Sequence, residues 1–251
     1  MRASASLPYL RSLKVGQIQL ERGETDRIEP IRSFGIGLAA VLVAGLFAGP
    51  AAMSAQGHAC DHPPGQEIYK IDHERFGEIG RHVITFSCQD DELLVETRIS
   101  GEARLLSLPV YTLDGNYREI WRGDRMISFE NKINDNGEQF EVSARAEGDQ
   151  MVIDRRRGVI EAPATIVSDH PWNFAVLDRP LLFDARRGKL RHVQVDSAGN
   201  EALLIGGHEV PARKYRMTGD LERVLWYGED GTWLQAQLEY GGAKVLVTRQ
   251  E

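Results

Sequence analysis

Apolar and polar residues alternate along most of the chain after residue 80. Because successive side chains of a β-strand point to opposite faces of a sheet, this period of two predicts strands with one buried face. The inward-facing residues predicted for the first two such segments are His82, Ile84, Phe86, Leu93, Val95, Thr97 and Ile99. A lone histidine on an apolar face is typical of a core residue, so we interpret His82 as structural.

A β-hairpin is predicted over residues 125–147. Two alternating segments flank Asn136-Gly137, and Asn-Gly between such segments is a strong hairpin signal because both positions of the tight turn favour positive φ. One predicted face of this hairpin carries Ile127, Phe129, Asn131, Ile133, Phe140, Val142, Ala144 and Ala146. Four further strands, joined by short glycine-containing turns, are predicted at 210–218, 221–227, 233–240 and 244–249.

One helical segment is predicted near residues 164–178, with Ser168-Asp169 as its N-cap and Pro171 at an early helical position. Together these patterns predict a mostly β protein, with one large, curved antiparallel meander sheet and one short helix. A sheet of this size must bury one face, either as an open barrel or as a half-barrel. Either form leaves a concave apolar face where a ligand can bind.

An uncharged apolar segment lies near the N-terminus. Residues 33–57 carry no charge, and a basic flank precedes the apolar core 34–47. This layout is typical of a secretory signal peptide. It predicts cleavage between Ser54 and Ala59, and a periplasmic or secreted protein. The alternative is an uncleaved membrane anchor.

Composition and charge restrict the possible functions. The chain is 42% hydrophobic and 27% charged, which is typical of a globular protein. Its formal net charge of −7 argues against a nucleic-acid-binding surface, and no sequence motif indicates a cofactor. We divide the chain into an N-terminal extension with a signal peptide at 1–57 and a single β-rich domain at 58–251. The mixed charge of residues 1–32 suggests that translation starts further downstream.

The two cysteines, Cys60 and Cys88, would meet an oxidising compartment after export. An intramolecular disulfide is therefore predicted, the alternatives being free thiols or an intermolecular bond through Cys60. His58, Cys60 and His62 also place three candidate copper or zinc ligands close together. The competing interpretation of these three residues is a solvated tail.

The densest polar and aromatic cluster spans residues 168–173. In it His170 is a candidate general base, oriented by Asp169 and close to Ser168. Because no Gly-x-Ser-x-Gly motif surrounds the serine, we favour a structural role in which Trp172 closes the open end of the sheet.

Three arginines alternate with apolar neighbours: Arg98, Arg145 and Arg216. Together with Trp172 they are the candidate ligand-binding residues, because guanidinium groups that line a cavity can pair with an anionic head group. Exposed strand faces produce the same sequence pattern, so both interpretations remain open.

Several motifs cover nearly the whole predicted domain, at 71–73, 76–82, 117–123, 168–173, 182–188, 210–216 and 225–233. They resemble a bacterial domain-of-unknown-function family of exported cell-envelope proteins. That resemblance implies export and supplies no function. The predicted strand order is also similar to the half-barrels of lipoprotein carriers, whose concave face shelters acyl chains.

The leading hypothesis is a non-enzymatic exported protein that binds or carries an apolar, lipid-like molecule in the concave face of its sheet. The first alternative is an enzyme on the same scaffold that uses His170 and Asp169. The second is an envelope module whose sheet edge pairs with a partner. Nucleic acid is not expected as a partner, membrane contact is expected only through an uncleaved N-terminal segment, and the oligomeric state stays open.

Overall fold

The computed structural model describes Cys60 and residues 62–250. The predicted signal peptide, its cleavage positions and His58 lie outside the described residues. Within the described region, no helix is long and apolar enough to cross a membrane.

The described region forms one sheet of fifteen strands. The strands are β1 (Gly65–His73), β2 (Gly77–Gln89), β3 (Glu92–Leu105), β4 (Leu108–Arg122), β5 (Arg125–Asp135), β6 (Glu138–Glu147), β7 (Gln150–Arg155), β8 (Ile160–Pro163), β9 (Val167–Ser168), β10 (Leu181–Phe183), β11 (Leu190–Ile205), β12 (His208–Gly219), β13 (Arg223–Tyr227), β14 (Trp233–Tyr240) and β15 (Ala243–Arg249). Their order in the sheet is β8-β7-β6-β5-β4-β3-β2-β1-β15-β14-β13-β12-β11-β10-β9.

The sheet is curved but not closed, which resolves the question that the sequence left open. Its two edges, β8 and β9, are consecutive along the chain and are not paired with each other. All neighbouring strands are antiparallel except β9 and β10. The first and last strands of the meander, β1 and β15, pair in the middle of the sheet. The mostly β, curved antiparallel architecture is therefore confirmed.

The 125–147 hairpin is also confirmed. Asn136 and Gly137 form its turn with φ of 53° and 90°, and the Gly137 N–H donates to Asn134 Oδ1 over 2.8 Å. One face assignment in β5 was wrong. The register shifts opposite Ile120/Trp121, and this irregularity buries Met126 completely while Ile127 is only half-buried.

No α-helix forms at 164–178. The helical part of that segment is a single 3-10 turn at Phe174–Leu177, and its N-cap is Asn173, whose Oδ1 accepts a hydrogen bond from the Ala175 N–H at 2.9 Å. Ser168 belongs instead to β9, and Asp169 makes tertiary contacts. Local capping signals predicted a helix here, but Val167 and Ser168 pair with β10, and the residues around this short strand form turns.

Residues 164–189, which include β9 and β10 at one edge of the sheet, form an inner segment that packs against the buried face of β4 and β5. Asn131 on β5 anchors this segment, because its Nδ2 donates to the Ala185 carbonyl and its Oδ1 accepts from the Val142 N–H at 2.8 Å. Arg186 of the segment pairs with Asp135 at the end of β5. The sheet therefore curls around a segment of its own chain.

The predicted disulfide is present between Cys60 and Cys88, with a Cα–Cα distance of 5.6 Å. It joins the residues before β1 to the end of β2. Because the bond occupies the sulfur of Cys60, that residue is not available as a metal ligand, and the predicted metal cluster loses one of its three members. His62 stacks on Phe86 with ring centroids 3.7 Å apart.

Candidate functional site

A cavity of about 580 Å³ lies between the buried face of the sheet and the inner segment. Its walls are mostly apolar and come from both halves of the meander, including Ile71, Ile79, Ile99, Ala103, Leu113, Ala236, Leu238, Val245 and Val247. These positions are the inward-facing residues of their strands, so the period-two pattern that buries the core also forms this wall.

The cavity has a polar side formed by the inner segment, where His170 meets Glu119. His170 follows β9, and Glu119 lies on β4. The His170 Nδ1 is 2.6 Å from Glu119 Oε1, and both side chains are buried. Because the carboxylate engages Nδ1, the orientation of the His170 ring is fixed, and its other nitrogen lies outside this contact.

Glu119 is 1% exposed, so its carboxylate has almost no contact with water. Besides His170, it accepts hydrogen bonds from the Trp121 indole N–H at 2.9 Å and from the Ser168 hydroxyl at 3.1 Å. A buried carboxylate requires such donors to replace its lost hydration. Since Ser168 donates to Glu119, no described contact joins its hydroxyl to His170.

Asp169 does not orient His170. Its carboxylate accepts from the Ala185 N–H at 2.8 Å and pairs with the Arg223 guanidinium at 2.5 Å. Arg223 also donates to the Asp169 carbonyl at 2.9 Å. Burial by itself would raise the pKa of Asp169, but Arg223, His170 and the Ala185 N–H together hold it below its usual range. Asp169 therefore fastens the inner segment to β13.

Two further groups at the cavity lack partners. His82 makes no hydrogen bond to any described residue; its ring lies 5.6 Å from that of Trp233 and 6.5 Å from that of His170. Burial and the neighbouring His170 lower the pKa of His82 to about 3, so this histidine is neutral. The Trp233 indole N–H is buried and has no acceptor among the residues described.

Comparison with known proteins places the chain in a family. The model of a domain of unknown function, DUF6134, matches residues 74–250, which is most of the chain. The chain belongs to the DUF6134 family. No curated protein matches it.

A solved structure is similar to the DUF6134 fold described above. It is the beta-barrel-like protein of domain of unknown function DUF1849 from Brucella abortus, at 14% identity and a TM-score of 0.56. The match covers 75% of this chain and 96% of that protein. At this identity the similarity concerns the fold alone.

The three arginines predicted to bind a ligand do not surround the cavity of this DUF6134 chain. Arg98 and Arg145 are exposed and pair with Asp114 and Glu147 on the outer face, and Arg216 is also exposed. They fall on this face because each directly neighbours an inward-facing residue, and strand neighbours point to opposite faces. Their ligand-binding role therefore stays a prediction without structural support.

Trp172 is half-buried and packs edge-on against Phe86 and Trp121, with ring centroids 5.5 Å away in both cases. Trp172 therefore packs between the inner segment and the sheet and does not line the cavity. Of the sequence candidates, only His170 and Asp169 lie at the cavity. No group of three or more metal-ligating side chains occurs within the described region.

Sequence reasoning missed Glu119, Trp233 and Arg223. A signal for Glu119 was available, because it occupies the inward position between Tyr117 and Trp121 of an alternating segment. A charged residue at such a position implies a buried partner. Nothing in the sequence identified that partner as His170, which is 51 residues away.

Proposed function

We propose that this protein is an exported binding protein that holds an apolar, lipid-like molecule in its cavity. The observation that supports this most strongly is the cavity itself, which combines apolar walls with one polar side. Its volume of about 580 Å³ falls in the range of roughly 300–1,000 Å³ that is usual for ligand sites.

The polar side of the cavity suggests how the polar part of the ligand is held. The guanidinium groups of Arg191 and Arg223 border the cavity, and their side chains are 24% and 21% exposed. Neutral His82 offers a donor or an acceptor on the same cavity wall. An oxygen-rich head group would accept hydrogen bonds from these groups, while the hydrocarbon would contact the apolar walls.

Export rests on the apolar N-terminal segment and on the disulfide, because disulfides persist in oxidising compartments. A carrier role would also agree with the similarity to lipoprotein-carrier half-barrels that the sequence predicts, and the proposal does not depend on that similarity. Partner binding through a sheet edge is less favoured, since β8 has four residues and β9 has two. Edges this short offer little backbone for strand addition.

Binding can be tested by native mass spectrometry of the gently purified chain and by titration with a dansyl-labelled fatty acid. We expect an adduct that denaturation removes. Gly101 faces the cavity with only ordinary contacts around an added Cβ, so Gly101→Leu should fill space and weaken dansyl binding by about tenfold.

The matched control is Ser100→Leu, which places the same side chain on the opposite face of β3. It should leave binding unchanged. A chain that carries no adduct and gives no saturable dansyl signal would contradict the proposal.

A second candidate function is acid–base catalysis, which the His170–Glu119 contact favours. A carboxylate on Nδ1 would make the other nitrogen a base for activating water. Because Ser168 bonds to Glu119, water rather than serine would be the nucleophile. His170→Gln distinguishes the two functions: turnover of a bound ester would stop in the variant, whereas a pure carrier would keep its adduct.

A further inference from the structure

The hairpin between β3 and β4 projects beyond the rest of the sheet. These two strands pair with each other as far as Leu105↔Leu108. The neighbouring strands stop earlier, because β2 ends its pairing with β3 at Gly80↔Gly101 and β5 ends its pairing with β4 at Leu113↔Asp135. Residues 102–110 therefore form a two-stranded ribbon that pairs with no third strand, while at its base the Thr112 carbonyl accepts from the Asn136 N–H and Tyr111 packs against Tyr240.

The end of this ribbon, residues 105–110, is an exposed apolar tip. The exposed fractions of its aliphatic residues are 57% for Leu105, 91% for Leu106, 69% for Leu108 and 46% for Val110. The turn places Leu106 at φ 49° and Ser107 at φ 69°. Glycine or asparagine normally occupies such positions, so a leucine held there in full exposure points to a function at the tip.

A charged pair at the base of the tip satisfies one carbonyl of its turn. The Arg104 guanidinium donates to the Ser107 carbonyl at 3.2 Å and pairs with Glu102. The turn carbonyl is therefore satisfied within the chain, and the charges lie below the leucines, where long side chains can reach a polar interface.

The same ribbon leads into the cavity. Gly101, Ala103, Tyr111 and Leu113, at its base, line the cavity wall. The ribbon thus connects the exposed tip to the cavity wall.

We propose that the tip inserts into a lipid bilayer and places the cavity at the membrane surface. A bilayer suits this tip better than a partner strand, because Pro109 lacks the N–H that strand addition would use. The proposal extends the proposed function, but docking can be measured without any ligand in the cavity.

The test uses the full chain with Ser107→Cys, labelled with the environment-sensitive fluorophore NBD. The two native cysteines are joined in the disulfide, so the new thiol is the only free one. Vesicles of phosphatidylethanolamine and phosphatidylglycerol are added, and the NBD emission is recorded. We expect a blue shift and an intensity gain on vesicle addition, and no such change for a label at exposed Ser197 on β11.

A variant with Leu105→Ser, Leu106→Ser and Leu108→Ser should reduce partitioning into vesicles by about tenfold or more, because it removes three inserting side chains. Leu204→Ser, at an exposed leucine of β11, is the matched control and should change nothing. Retained dansyl binding in the triple variant would establish that its cavity is intact.

Two results would overturn the proposal. If the chain sediments with vesicles while the label at residue 107 stays water-like, the N-terminal segment carries membrane binding. If the label is already shifted to the blue without vesicles, the tip contacts protein instead. If the chain binds vesicles normally but does not bind the dansyl-labelled fatty acid, the proposed function of the cavity is wrong, and the proposed membrane insertion of the tip is unaffected.

Discussion

At the scale of single residues, the cavity depends on a few buried polar groups whose partners come from distant parts of the chain. Glu119 satisfies a tryptophan, a serine and a histidine. Asp169 and Arg223 tie the inner segment to β13. Such networks are costly when incomplete, so single substitutions at them should have large effects.

Glu119→Gln should destabilise the fold by about 2–4 kcal/mol, because the new amide places a donor where the carboxylate now accepts three hydrogen bonds. Urea unfolding followed by tryptophan fluorescence measures the difference. Glu130→Gln, at an exposed position on β5, is the control and should change stability by less than about 0.5 kcal/mol. Equal stability of the two variants would contradict the role assigned to Glu119.

His82 should make stability depend on pH. Its folded-state pKa is lowered to about 3, whereas the unfolded chain takes up the proton near pH 6.5. Below pH 6.5 protonation therefore favours the unfolded state, and stability falls as the pH drops towards 3. The contribution approaches about 1.4 kcal/mol per pH unit.

The measurement is the free energy of unfolding of His82→Phe and of the wild type between pH 7.5 and 4.5. The free energy of unfolding of the variant should depend less steeply on pH, because the variant lacks the proton that His82 takes up on unfolding. His192→Asn, at an exposed histidine, serves as the control and should keep the wild-type slope. A His82→Phe profile parallel to that of the wild type would refute the assignment.

At the scale of elements, the strands followed their own sequence pattern. The 125–147 hairpin and the four C-terminal strands formed as predicted, because alternation and turn residues act over a few positions. The helix at 164–178 did not form, and Met126 replaced Ile127 in the core. Both differences arise from pairing with neighbours: Val167 and Ser168 of one segment join β10, and a register shift at the start of β5 turns Met126 instead of Ile127 inward.

The disulfide belongs to this scale because it fastens the residues before β1 to β2. Replacing both Cys60 and Cys88 by serine should lower stability by about 3 kcal/mol, mainly by releasing a closed loop in the unfolded chain. Urea unfolding with and without dithiothreitol measures this. Dithiothreitol should lower the free energy of unfolding of the wild type and leave that of the double variant unchanged. An unchanged value for the wild type would contradict the prediction.

At the scale of the whole molecule, the inner segment decides the shape of the cavity. Asn131 holds it to β5 by bonding the Ala185 carbonyl while also accepting from the Val142 N–H. Asn131→Leu should cost about 2–3 kcal/mol because it leaves these buried groups without partners. It should also speed amide hydrogen exchange of residues 182–188.

Hydrogen exchange followed by mass spectrometry distinguishes release of the inner segment from destabilisation of the whole fold. Asn116→Leu, at an exposed position of β4, should leave the exchange of residues 182–188 unchanged. If residues 182–188 stay protected from hydrogen exchange in Asn131→Leu, contacts other than those of Asn131 hold the inner segment in place.

The sequence by itself predicted β2, β3, β5, β6 and β12 to β15, most of their inward faces, the hairpin turn and the cysteine pair, because alternation, turn chemistry and cysteine content are local properties. Only the tertiary structure decided that the sheet stays open, that residues 164–189 pack inside it, and that Glu119 rather than Asp169 partners His170. It also decided which arginines are exposed and that residues 105–110 project as an apolar tip. These features depend on which distant residues become neighbours, and sequence periodicity carries no information about that pairing.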